Sequence, residues 1–410
     1  MKLKFIPSLF GVILLFLFTS CTSSNSNVIN IDKLVNAEDP IGAKFEVNGV
    51  KYSIGGGKRI VTTKNDNGEY VDIPVEDSLY ISVDGLENEE VTDLDIPEAM
   101  SLNGGLIPIT EFGSSWAFEN CNSLKSVKIP GSIIEIDGSE TFANCENLES
   151  VIICEGVKEL SGFQGCINLK NVSLPESLKE INYETFKDCS SLVSIGLPEN
   201  LEKIGDRAFS CCIALKSIEI PASVNSMGDE IFKGCTSLEK VKLSTNVTIL
   251  LEEFEDCDAL KSIEIPEGVL ELKGTFSGCK NLIEVKLPNS LQKIGYATFR
   301  DCESLEKIEL PKNLTTIGEH AFENCKGLKE ITLPEKVSLV KDDAFKGCTG
   351  IKSVTALNPY PFPERLAFRE MLRGRNYPTP LYVPAQSVEA YKDDNESIAY
   401  YFFGQVEPVR

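Results

Sequence analysis

Fourteen cysteines, one histidine and 62 acidic side chains are the groups in this 410-residue chain that could react, ligate a metal or titrate. The single histidine removes most Ser-His-Asp and Cys-His schemes, which need an imidazole to take the nucleophile's proton. It lies in Gly318-Glu319-His320-Ala321-Phe322, in a slot whose occupant varies, so a surface role is expected for His320. Carboxylates are plentiful, but no pair is spaced so as to assign one acid and one base. Asn65-Asp66-Asn67-Gly68 lacks the downstream ligands of a calcium loop and reads as a turn. Gly55-Gly56-Gly57-Lys58 has neither the spacing nor the following Ser or Thr of a phosphate loop. No Cys-x-x-Cys occurs to clamp zinc. The expectation is a chain that is not an enzyme and holds no cofactor or metal.

The cysteines are explained by what surrounds them. A signature, Phe-x-x-Cys-x-x-Leu-x-x-(Val/Ile), recurs eleven times, with Phe118, Phe142, Phe163, Phe186, Phe209, Phe232, Phe254, Phe276, Phe299, Phe322 and Phe345 as its marks. Successive marks stand 21 to 24 residues apart. A period near 23 residues that tolerates small insertions means a solenoid, because one such coil cannot bury its apolar face alone. In Leu124-Lys125-Ser126-Val127-Lys128-Ile129-Pro130 the apolar residues 127 and 129 alternate with polar ones, as a half-buried strand requires. Proline ends most of these strands, where it stops ladder pairing. A second apolar pair follows, such as Leu201/Ile204 and Leu291/Ile294, and then often glycine (Gly205, Gly295, Gly318), expected at a corner of positive φ. Ala-Phe or Thr-Phe closes the coil.

Eleven cysteines are therefore one column of a stack, from Cys121 to Cys348. Equivalent positions of stacked coils lie about 4.8 Å apart with parallel Cβ vectors, which does not suit the disulfide dihedral. An inward ladder of free thiols acting as small apolar side chains is expected. Disulfides between some coils and metal binding are the other readings. Cys154 and Cys211 stand outside the column, and Cys211, beside Cys212, is expected to point outwards as a lone thiol if the chain there is extended.

One side chain per strand points out. Down the stack Glu219, Lys242, Glu264, Lys286 and Glu309 alternate in sign. These charges either hold the coils in register or form a docking strip for a protein partner. Few aromatics stand in these columns, which disfavours a sugar-binding face.

The chain's flanks differ from the stack. Lys2 and Lys4 precede an apolar run, Leu9 to Phe18, too short to span a bilayer. Thr19-Ser20-Cys21 then resembles the lipobox of bacterial lipoproteins, which implies a signal peptide over 1–20 and acylation at Cys21; ordinary secretion is the other reading. Residues 21–40 read as a flexible tether, and 41–116 as a β-rich N-terminal cap with hairpins at Asn48-Gly49 and Asn67-Gly68 and a degenerate first coil. The coils occupy 117–357, and 358–410 form an aromatic-rich C-terminal cap. A net charge of −22 argues against nucleic acid and against attraction to anionic lipid.

Residues 298–343 carry the repeat nearly column for column: Thr-Phe-Arg-Asp-Cys-Glu-Ser-Leu-Glu-Lys-Ile-Glu-Leu-Pro, then Asn-Leu-Thr-Thr-Ile-Gly-Glu-His-Ala-Phe. This resembles the BspA-like, or Treponema pallidum-type, leucine-rich repeat family of Bacteroidetes surface lipoproteins. The resemblance implies a leucine-rich repeat stack of about eleven coils between two caps. It also implies an outer-membrane lipoprotein, surface-exposed or periplasm-facing, that binds host matrix proteins or other bacterial surface proteins. A glycan-capture lipoprotein of a polysaccharide uptake system and a purely structural envelope protein are the alternatives. The absence of acidic residues from Thr22 to Asn27 keeps the periplasm-facing location open.

Overall fold

A computed structural model of the chain describes residues 28–35, 40–56, 59–64, 70–75, 79–87, 89–136, 140–361, 379–393 and 405–409. The expected signal peptide, Cys21 and the Asn67-Gly68 turn lie outside these residues.

Alternation and turn chemistry build the N-terminal sheet. Lys44–Val47 and Val50–Gly55 pair antiparallel across Asn48 and Gly49, both at positive φ (52° and 81°), as a tight hairpin turn demands. Six strands lie in the order Ile29–Asn30, Ala99–Leu102, Gly105–Phe112, Tyr80–Leu86, Val50–Gly55, Lys44–Val47. A separate hairpin pairs Arg59–Lys64 with Tyr70–Val75.

The solenoid follows, with front strands in most coils along one face and back strands along the other. Front strands pair parallel and in register, Val127 opposite Val151 and Val151 opposite Val172. Back strands do the same, Leu160 opposite Ile181 and Ile181 opposite Ile204. The stack starts before the clean repeat: Asp93–Asp95 pairs with Ser126–Lys128, turning Leu94 inwards and both aspartates outwards. At the far end Leu381–Val383 extends the last front strand, Ser353–Ala356, and Val406–Pro408 extends it again. Between them Tyr391 is fully buried, and its hydroxyl donates to the carbonyls of Asn358 and Tyr360 at 3.0 and 2.8 Å.

Two columns hold the core. The eleven repeat phenylalanines are all 0% exposed and form one stack, with neighbouring centroids 5.0 to 5.9 Å apart. Phe112 caps the first of them edge-on, 6.0 Å from Phe118. Beside this stack run the eleven repeat thiols, all free and all but Cys121 buried. From Cys145 onwards each thiol donates to the carbonyl of the preceding coil's phenylalanine, Cys257 Sγ to Phe232 O at 3.3 Å and Cys279 Sγ to Phe254 O at 3.0 Å. The same carbonyl accepts the amide of its own coil's cysteine, Cys257 N to Phe254 O at 3.2 Å. The thiol thus satisfies a buried lone pair across the coil boundary while filling space as a small apolar group.

The corners differ from the expectation. Gly205, Gly295 and Gly318 do not adopt positive φ. They are glycine because a Cβ would strike the preceding coil: 2.7 Å from Asn182 C, 2.8 Å from Leu272 O and 2.5 Å from Gly295 C. Positive φ falls nearer the phenylalanine, on one side at Glu184, Arg207, Glu230, Glu252 and His320 and on the other at Asn120, Asn144, Asp188 and Asp256. Cys211 stands in that second column, in the left-handed region at φ 58°. It is therefore half-buried in a turn, where an extended chain would have turned it outwards.

Candidate front face

The front strands place the candidate residues. Register pairing puts Glu219 beside Lys242 and Glu264 beside Lys286, and both pairs form salt bridges with side chains 65 to 72% exposed. Hydrogen bonds donated to Glu219 and Glu264 hold the Lys242 and Lys286 ammoniums above their ordinary range. Lys128 pairs likewise with Asp95, so the outward column begins one coil earlier than the clean repeat. Glu309 is different: it pairs at 2.6 Å with Lys307 of its own coil. The column is thus a set of separate pairs and not a continuous ladder. Such exposed pairs contribute about 0–1 kcal/mol each, so they set register more than stability.

The face is not uniform. An open groove of about 860 Å³ lies over the junction of strands 240–242 and 262–264. Val241 and Ile263 form part of its lining, with Glu239, Lys240, Lys261, Glu264, Glu284 and Lys286 among the others. Thus Glu264 and Lys286 belong to the groove, whereas Glu219, Lys242 and Glu309 do not line it.

Other reactive groups are accounted for by packing. Burial pushes the Cys166 and Cys235 thiols up to about 12, so these cysteines carry no thiolate to react with. His320 is half-buried, with Nδ1 2.8 Å from Glu323 Oε2 and its ring edge-on to Tyr296. Carboxyl oxygens of Glu230, Glu252 and Glu255 lie within 4.8 Å of one another, the spacing a cation would need. The Lys233 ammonium already bridges Glu255 at 2.7 Å and Glu230 at 3.0 Å, and Arg207 also pairs with Glu230, so this cluster holds its own counter-charge. Next to it Glu253 is 1% exposed: its Oε1 accepts the Leu251 amide at 2.7 Å and its Oε2 has no partner. Burial above all pushes its carboxyl up to about 8, with Asp229 and Glu252 adding to the rise.

The profile of the BspA type leucine rich repeat region matches residues 107–162, 161–274 and 249–370, in six copies. The chain belongs to that family. A leucine rich cell surface protein of Faecalibacterium prausnitzii A2-165 is similar over 87% of this chain and 98% of its own, at 23% identity and a TM-score of 0.46. A leucine-rich repeat protein of Bacteroides ovatus is similar over 89% and 100%, at 23% identity and a TM-score of 0.40. The T. pallidum leucine rich repeat protein is similar over 60% and 88%, at 22% identity and a TM-score of 0.34. No curated protein matches the chain.

Within this BspA-type solenoid, sequence reasoning missed the groove and the buried Glu253. The signal for Glu253 was available: its slot before the phenylalanine holds Thr or Ala in most coils, as at Thr185, Ala208, Thr275 and Thr298. The signal for the groove was not, because it arises from how two coils meet.

Proposed function

We propose that this protein is a non-enzymatic scaffold of the cell envelope, tethered by lipid at Cys21, that binds a protein partner through its front strand face. The observation that carries this reading is the composition of that face. In the eleven coils its three columns of outward positions, those of Lys125, Ser126 and Lys128, hold eleven lysines and eight glutamates, and Asp93 and Asp95 add two acids at the start, on a chain whose net charge is −22. The acid excess lies elsewhere, much of it at the corners around Asp206, Asp229, Glu252 and Asp256. A flat surface of mixed, nearly balanced charge suits the mixed polar surface of another protein, and charge complementarity steers encounter. A sugar ring would call for an aromatic platform, and no aromatic lines the groove. The partner class is a host matrix protein or another bacterial surface protein.

Two experiments test this reading. Protease treatment of intact cells should remove the protein, and its survival would sink the surface-adhesin reading. The full chain should retain such partners in a pull-down, and the combined variant Lys240→Glu, Lys261→Glu, Lys286→Glu should lose them. Equal retention by the variant would overturn the assignment of the front face.

A further inference from the structure

The rod is interrupted once on both faces, in its middle. On the front, strand 240–242 pairs with 217–219 and strand 262–264 pairs with 284–286, but these two pairs are not joined to each other. On the back, one sheet ends at Ser226–Met227 and the next begins at Ile249–Leu251. The coil-to-coil rungs locate the fault. Asn225 N donates to Glu202 O at 3.0 Å, Leu270 N to Thr248 O at 2.8 Å and Gln292 N to Leu270 O at 2.9 Å, whereas Thr248 N makes no such bond to Asn225. Of its strand ladders, coil 232–253 therefore keeps only the front one to the preceding coil and only the back one to the following coil, while corner bonds such as Cys211 N to Lys233 O at 2.7 Å and Gly234 N to Glu255 O at 2.8 Å still tie it to both. Front strands are also interrupted near Ile195 and Ile308, but there the back sheet runs on through Ile181 to Ile204 and Ile294 to Ile317.

The sequence supplies a physical cause. The slot before each phenylalanine is narrow, buried in every coil after the first, and holds Thr, Ala or Gly in all but two of the eleven coils. At coil 232–253 two neighbouring coils fill it with Ile231 and Glu253, both buried. Overfilling a close-packed layer moves backbone, and the backbone next to this slot is the back strand. A change in corner length does not by itself break the sheet. The corner grows by one residue between Leu272 and Ile294, yet these two residues pair in register.

We propose that coil 232–253 is a joint: the coils before and after it are two rigid blocks that swing about it, and the swing sets the width of the front groove. The groove lies at the front side of this coil's junction with the following one, between Val241 and Ile263. In a solenoid each coil contacts only its neighbours, so a coil that has lost half its ladder on each side is where cooperativity is weakest. The link to partner binding rests on the front-face reading above, but the joint itself does not.

Hydrogen exchange on the full-length protein tests the joint without any partner. Peptides covering 244–251 and 258–263 should exchange at least tenfold faster than their register equivalents 288–295 and 280–285. With pulse labelling in rising urea, the blocks before and after the joint should lose protection at different concentrations. Exchange that is equal at the two places, with one common loss of protection, would overturn the joint. The variant Ile231→Ala, Glu253→Thr should slow exchange at Thr248 towards that at Leu270; unchanged or faster exchange in a folded variant would overturn the wedge as its cause. If that variant does not fold, the wild-type comparison still decides the joint. Loss of partner binding with these exchange results intact would refute only the front-face reading.

Discussion

Replacing Glu253 by Gln removes a titrating carboxyl and keeps its shape. In the folded chain that carboxyl is pushed up to about 8, from an ordinary value of 4.5, chiefly by burial. Between these two pH values the unfolded chain releases a proton that the folded chain keeps. Stability therefore falls as pH rises through this window and levels off above about 8. At about 1.4 kcal/mol per pH unit, the full loss is on the order of 4–5 kcal/mol. Urea unfolding of both proteins, followed at coil 232–253 by hydrogen exchange, should show near-equal stability at pH 4.5. At pH 8.5 the Gln variant should be the more stable, by a margin of that order. Glu253→Thr, which restores the residue type of Thr275 and Thr298, should behave alike, because those hydroxyls donate to Leu250 O at 3.0 Å and Leu272 O at 3.1 Å. A gap between wild type and the Gln variant that is the same at pH 4.5 and 8.5 would refute the reasoning, since a packing effect does not titrate.

Four further outcomes are expected. Cys257→Ala removes both the thiol volume and its bond to Phe232 O, and should cost roughly 1–3 kcal/mol in thermal or urea unfolding. A thiol reagent applied to the native protein should modify Cys211 and Cys121, which are half-buried, long before Cys257 or Cys279, which are buried. Gly318→Ala would bring a Cβ to 2.5 Å from Gly295 C, and should destabilise by roughly 1–3 kcal/mol although its φ is ordinary. Lys242→Ala, by contrast, should change stability by less than about 1 kcal/mol, because its pair with Glu219 is exposed; a larger loss would mean that the front pairs carry the stack.

Much of this protein was written in its local pattern. The Phe-x-x-Cys-x-x-Leu frame determined the coil, its inward residues and the role of its thiols, because a period of 23 residues and an alternation of two act within one coil and repeat unchanged. The outward column was equally legible as a set of positions. Which of its charges meet was not: Glu309 turned to Lys307 in its own coil, while Lys242 and Lys286 each joined the coil before. The corner glycines were recognisable, but their reason was a backbone in the adjacent coil, and no single coil contains that contact. Cys211 was misjudged for a related cause, since its left-handed turn belongs to a column otherwise filled by Asn, Asp and Gly. Sequence alone marked the flanks, 41–116 and 358–410, as the irregular parts of the rod. The structure adds an irregular place in the middle, where Ile231 and Glu253 share a narrow slot and two sheets stop. Local residue order determined what each coil is, and only stacking decided where neighbouring coils fail to fit, because misfit is a property of two coils in contact.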